Sequence, residues 1–374
     1  MIDLDDVNVL RALDKSNQLA LMNNWTSSIT ELKKRLHDFS IPEDYSWKDQ
    51  VVQYTSPEKV LLCGMGGSAI VADYVSNLLI DEIKVPIIVN KSYSIPKFVD
   101  EKTLTICISY SGNTEETVSC FYQALKRKSM IVTISSGGIL GDFSSKIGIP
   151  YVKLKGGQPP RTAFPLLYVS LLKVFEKIFS ITNIDEALDE SVALLERLSE
   201  QLSPEVSTSQ NQAKKLSLLL YNSTPIFISN SYCSPVSYRA KCQLNENSKM
   251  LSCYENLPES NHNGIVIWDS LKVMNHISVV LLRLPNERPE IKTRVEVTEK
   301  IMNKKTEKIF ELYALGNSKI AHQLTLTYII DYISIYLAFL NEIDPTVIDG
   351  IDLLKKTLTK KHGLLKNIKE LLQD

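Results

Sequence analysis

Little in this chain commits it to a metal, a membrane or a nucleic acid. Its 374 residues include six cysteines, Cys63, Cys107, Cys120, Cys233, Cys242 and Cys253, with no CxxC pair among them. That spacing argues against a zinc ribbon or a disulfide framework, and thiols set in apolar stretches suit a reducing compartment. The five histidines form no His/Glu cluster with metal-ligand spacing, so neither a metal nor a cofactor is expected. Neither sign of charge dominates, with 42 Lys and Arg against 43 Asp and Glu, which leaves no global field to draw the chain to nucleic acid or an acidic membrane. The opening MIDLDDVNVLRALDK is acidic where a secretory leader is basic and then apolar, and a cytoplasmic protein is expected. The longest apolar run, YIIDYISIYLAFL, is interrupted by Asp331; it reads as too short to span a bilayer and is expected to be a core helix.

What is present is a soluble α/β composition, 44% hydrophobic, in a chain longer than the roughly 250 residues at which single cores stop growing. Ile29, Leu32, Leu36 and Phe39 make a helical stripe, so one or two helices are expected over residues 5–39. The polar stretch SIPEDYSWKDQ then reads as a joint. From Lys59 short apolar runs (KVLLCGM, VPIIVN, TLTICIS, MIVTISS, IPYVKL) alternate with amphipathic helical stretches, the signature of β-α-β units and a parallel sheet. PRTAFPLLYVSLLKVFEKIF reads as a largely apolar helix opened by Pro160. After two connecting helices, TPIFISN, YRAKCQLNENSKM, GIVIWD, HISVVLLRL, KIFELYAL and TLTYIIDYISIYLAFL repeat the alternation. These readings divide the chain into a helical extension (1–50), a first α/β domain (51–182), a helical connector (183–222), a second α/β domain (223–343) and a helical tail (344–374) broken at Gly363.

Two turns carry most of the chemistry. In KVLLCGMGGSAI a strand ends in glycines and a helix begins, with Ser68 placed to cap it; helix N-termini attract anions through free N–H groups and aligned peptide dipoles. A plain strand-to-helix turn explains the same residues. Only the relaxed dinucleotide pattern is met, Asn90 stands where a ribose-binding acid would end the next strand, and the GK[ST] of a P-loop is missing. In TLTICISYSGNTEET a strand ends near Ile108 and a helix is expected from about Thr114. Ser109, Ser111 and Thr114 offer hydroxyls at its mouth, either to cap the turn or to bind a phosphate. Two such turns at the carboxyl edge of one parallel sheet favour phosphate.

GMGGSA followed by SYSGNTEET resembles the sugar isomerase (SIS) domain. GGQPPRTAFPLLYVSLL, QLNENSK and ENLPESNHN resemble further segments of the bifunctional phosphoglucose/phosphomannose isomerase family, over residues from about 55 to 360. The resemblance implies two SIS-type doubly wound domains, each a mainly parallel sheet flanked by helices. It further implies a metal-independent isomerase that interconverts glucose 6-phosphate and/or mannose 6-phosphate with fructose 6-phosphate through a cis-enediolate. It puts Gly67, Ser68, Ser109, Ser111 and Thr114 on the sugar phosphate, Glu246 as the base and His262 at ring opening, contributed across a homodimer. Arg161 falls beside the enediolate, and Lys355, with Lys356 as the neighbouring alternative, matches a C-terminal lysine. Val71 and Ala72 depart from the family's glycine pair, and Gly264 stands where its members often have Glu. A sensor that binds phosphosugars without turnover, or an isomerase of another phosphosugar, are the competing readings.

Overall fold

The computed structural model describes residues 2–270 and 276–373. The chain divides into two compact units, Met1–Ser27 with Asp185–Val347, and Ser28–Ile184 with Ile348–Asp374. Eleven strands are found among the described residues. Strands β1 (Asp44–Trp47) and β2 (Gln50–Gln53) pair as an antiparallel hairpin. The first sheet comprises β3 (Lys59–Cys63), β4 (Ile87–Asn90), β5 (Thr103–Ile108), β6 (Met130–Ser135) and β7 (Tyr151–Lys153). The second comprises β8 (Thr224–Asn230), β9 (Cys253–Leu257), β10 (Ile277–Arg283) and β11 (Ile309–Tyr313).

In the unit that holds the first sheet, the order is β4-β3-β5-β6-β7 and every pairing is parallel. All six residues of β5 and of β6 are buried, as strands covered on both faces by crossover helices must be. Helix Phe164–Phe179, apolar on most faces as expected, packs Phe164 and Tyr168 against Tyr74 of helix Gly67–Leu78, with ring centroids 5.0 and 6.0 Å apart. Pro160 opens a 3-10 turn, Pro160–Ala163, rather than the α-helix itself, whose first turn holds Pro165. The stretch read as a polar joint forms the β1–β2 hairpin instead, because Tyr45 and Trp47 alternate inward and the Tyr45 hydroxyl donates to Ser129 O at 2.7 Å. The tail forms helices Asp349–His362 and Leu364–Gln373, broken at Gly363.

The other unit has the parallel order β11-β10-β8-β9. GIVIWD, read within the strand-helix alternation, is a 3-10 turn running into the short helix Ile267–Ser270. Three helices, Val7–Leu13, Gln18–Asn23 and Trp25–Arg35, stand where one or two were expected. The expectation that the long apolar run is too short to span a bilayer is corrected: it lies in helix Lys319–Leu340. Its 22 residues are long and apolar enough to cross a membrane, yet it is buried along its length. Its one carboxylate, Asp331, is satisfied by the buried Arg239 at 2.6 Å.

Candidate active site

In the first sheet the chain runs from β3 outward to β4 and returns on the other side of β3 to form β5. A crevice therefore opens between the carboxyl ends of β3 and β5, the switch point where open α/β sheets bind ligands. GMGGS follows β3 and SYSGNT follows β5, with Cys63 and Cys107 paired in register just below. Each turn leads into a helix, Gly67–Leu78 and Glu115–Lys126, and neither has a side-chain cap on its first-turn N–H groups. Ser68 is thus not the cap: Gly66 holds that position and Ser68 lies buried inside the first turn. Thr114 does hold the N-cap position, but its hydroxyl bonds the Ser109 hydroxyl at 2.8 Å instead of the helix.

Ser109 is fully buried and also accepts the Gly112 N–H at 3.1 Å, whereas Ser111 is exposed and accepts the Asn113 N–H at 3.2 Å. The turns after β5 and β6 interlock. Ser136 donates from both N–H and Oγ to Tyr110 O, at 2.8 and 2.7 Å, and the Leu140 N–H donates to Gly112 O at 3.1 Å. A Cβ added at Gly112 would lie 1.7 Å from Gly137 O. Arg161, 4% exposed, is brought to the same edge: Pro160 O and Arg161 Cα lie 3.6 and 3.9 Å from where a Gly67 side chain would begin.

The loop before Arg161 is held by Tyr110, whose hydroxyl donates to Lys155 O at 3.0 Å and accepts the Gln158 N–H at 3.4 Å. Losing both bonds in Tyr110→Phe costs about 1–2 kcal/mol. A fall in Tm of roughly 2–6 °C is expected by scanning fluorimetry; an unchanged Tm would mean the loop is held without this hydroxyl.

Beneath the crevice Cys63, Cys107 and Cys120 are all buried. Asn90 Nδ2 donates to Cys120 Sγ at 3.2 Å, so the residue that stands in place of a ribose-binding acid serves the core. The Cys63 thiol is pushed up by its hydrogen bond with Cys107 and by burial, and that of Cys120 by its bond with Cys63 and by burial. Thiols so disposed are poor nucleophiles and act as packing.

Glu246 belongs to the other unit. It sits half-buried in a π turn, Leu244–Ser248, that ends helix Ser234–Gln243. Lys249, in the left-handed conformation, closes the turn with its ammonium on the Glu246 carbonyl. Strand β9 follows, and His262 lies exposed in the 3-10 turn Glu259–His262 directly after it. The asparagines on either side are fixed: Asn261 donates to Thr298 Oγ1 at 2.8 Å and Asn263 to Glu259 Oε1 at 2.9 Å. Lys355 and Lys356 are both exposed on helix Asp349–His362. The structure thus gathers Gly67, Ser68, Ser109, Ser111, Thr114 and Arg161 at one sheet edge, and carries Glu246 and His262 just before and just after β9.

A family model for the bacterial phospho-glucose isomerase C-terminal SIS domain matches residues 209–358. A bifunctional phosphoglucose/phosphomannose isomerase from Caldicellulosiruptor bescii is 36% identical over 305 residues, 81% of this chain and 90% of that protein. The chain belongs to the bifunctional phosphoglucose/phosphomannose isomerase family. Another member, from Aquifex aeolicus, is 31% identical over 320 residues, 85% of this chain and 96% of its own. The fold is shared with a glucose-6-phosphate isomerase like protein from Thermus thermophilus, at a TM-score of 0.58 and 17% identity, covering 95% of this chain and 99% of that one.

At Gly264 the chain comes close to Glu255, whose carboxylate lies 3.3 Å from where a Gly264 Cβ would be. Burial raises the pKa of this half-buried acid. Sequence reading passed over it, since it lies in the middle of β9, an edge strand with little apolar alternation.

Proposed function

We propose that this member of the family interconverts glucose 6-phosphate and mannose 6-phosphate with fructose 6-phosphate through a cis-enediolate, without a metal. One observation carries the reading: two glycine-rich turns on the adjacent strands β3 and β5 flank the switch point of a parallel sheet, with Arg161 folded in beside them. A phosphate monoester presents oxygens that need donors, and the first-turn N–H groups of helix Glu115–Lys126, with the Gly67 N–H and the hydroxyls of Ser68, Ser111 and Thr114, supply them. Ser109, buried behind Thr114, fixes that hydroxyl. Gripping the sugar by its phosphate limits the positions open to C1 and C2.

Aldose-ketose exchange moves one proton between C1 and C2 on one face of the substrate, so a single carboxylate can take it and return it; Glu246 is that base. Negative charge then develops on the enediolate oxygens, and the Arg161 guanidinium lowers its energy where water is excluded. The substrate arrives mostly as a ring. His262, whose imidazole accepts at one ring nitrogen and donates from the other, carries the proton between the ring oxygen and the C1 hydroxyl. Lys355, or Lys356 beside it, adds a second cation. The reading includes a cytoplasmic homodimer in which the exposed His262 serves the partner's site.

The test is turnover of glucose 6-phosphate and of mannose 6-phosphate by pure protein, each with and without a chelator. Fructose 6-phosphate is expected from both, at rates a chelator does not change. Thermal stabilisation by the sugars with no turnover would make the protein a sensor, and no response to either sugar would overturn the reading.

A further inference from the structure

We infer that Gln18, in the N-terminal segment, is a positioning residue for Glu246 and acts through Asn247. The inference rests on the proposed role of Glu246 as the base. A π turn such as Leu244–Ser248 takes an extra residue into the helical path and persists where its surroundings over-determine it. Two fully buried neighbours of Glu246 do this. Asn247 Nδ2 donates to Ser334 Oγ at 2.8 Å, and Ser248 Oγ donates to Ser334 O at 2.6 Å. Ser334 is fixed in turn, donating to Asp331 O at 2.7 Å, and Asn341 Nδ2 donates to Ser248 O at 2.9 Å. The turn is thereby bound to helix Lys319–Leu340.

The other end of the Asn247 amide is held from the start of the chain. Asn247 Oδ1 accepts from Gln18 Nε2 at 3.2 Å, across 229 residues of sequence. Gln18 is itself 2% exposed and anchored, its N–H and that of Leu19 donating to the two Asp14 carboxylate oxygens at 2.7 and 2.9 Å. The Gln18 side-chain oxygen is buried without a hydrogen-bond partner. An orphaned acceptor of this kind is destabilising. The side chain holds that orientation because its N–H is directed at Asn247. With Ser334 on one side and Gln18 on the other, Asn247 has a single amide orientation, and the backbone that carries Glu246 is set with it. A proton-transfer base displaced by about 1 Å loses on the order of a hundredfold in rate, which is the scale on which such a lock acts.

Gln18→Leu tests this, because it removes the N–H donor and the orphaned oxygen together at nearly constant volume. Its Tm is expected to stay close to that of the parent, while kcat for sugar isomerisation falls roughly tenfold to a hundredfold and KM stays within about twofold. Ser334→Ala, which releases Asn247 from its other side, is expected to show the same split. In a Glu246→Gln background the Gln18→Leu effect should vanish, since Gln18 acts only through that carboxylate. A parental kcat per folded molecule in Gln18→Leu, whether or not Tm falls, overturns the inference when Glu246→Gln alone is inactive. Full activity in Glu246→Gln removes the base assignment first, and this inference with it.

Discussion

Glu246→Gln is expected to lower kcat for both sugars by about a thousandfold, within the 10²–10⁴ range that a positioned general base contributes. Glutamine keeps the shape of the side chain, so the π turn and its bonds to Ser334 remain and only the proton acceptor is lost. KM should change little, because the proposed phosphate contacts at β3 and β5 involve none of these residues. In deuterated water the variant should also cease to exchange the C2 hydrogen of glucose 6-phosphate. If it keeps parental turnover, Glu246 is not the base; Glu255, whose pKa burial already raises, becomes the next carboxylate to replace.

Gly112→Ala is expected to have the largest effect among substitutions in the turn proposed to bind phosphate. Gly112 has φ +69°, where a side chain costs about 1–3 kcal/mol, and its Cβ would lie 1.7 Å from Gly137 O and 2.7 Å from Gly137 C. Those atoms are backbone, so the turns after β5 and β6 have to separate. The Leu140 N–H bond to Gly112 O and the Ser136 bonds to Tyr110 O are then put at risk together. A Tm lowered by roughly 5–10 °C is expected, with KM for the phosphosugars raised more than tenfold as Ser111 and Thr114 leave their places. A variant with parental Tm and KM would show that the turns can part at no cost, and would remove the interlock from the account of binding.

The first sheet was legible because its central strands are apolar at consecutive positions; burial on both faces writes itself into sequence as continuous runs such as VLLC and TICI. The two turns were legible for the same reason, as polar and glycine-rich breaks at the ends of those runs. Their internal wiring was not. Ser68, Ser109 and Thr114 all have capping chemistry, and only the backbone path decides that Gly66 takes one N-cap position and that Thr114 bonds Ser109. The β1–β2 hairpin was hidden by its polar composition, although Tyr45 and Trp47 alternate inward as strand residues do. The π turn at Glu246 has no sequence signature, and the Gln18–Asn247 bond joins positions too distant for any local pattern to link.

The division of the chain into two units has a consequence for how the protein is made. Neither unit is continuous, and the boundary near residue 27 falls inside helix Trp25–Arg35. On a ribosome, Ser28–Ile184 supplies the whole five-stranded sheet early. Leu19, Met22 and Trp25, all buried in the finished fold, must wait for helix Lys319–Leu340, whose Tyr328 packs its ring 5.2 Å from that of Trp25 and donates its hydroxyl to Met22 O. That interval is about 300 residues of synthesis, on the order of 15–60 s, during which these apolar side chains stay available to chaperones or to misassembly. The setting of Glu246 through Gln18 and Ser334 can be completed only after both distant stretches have met, so the carboxylate proposed as the base is among the last features of the molecule to be put in order.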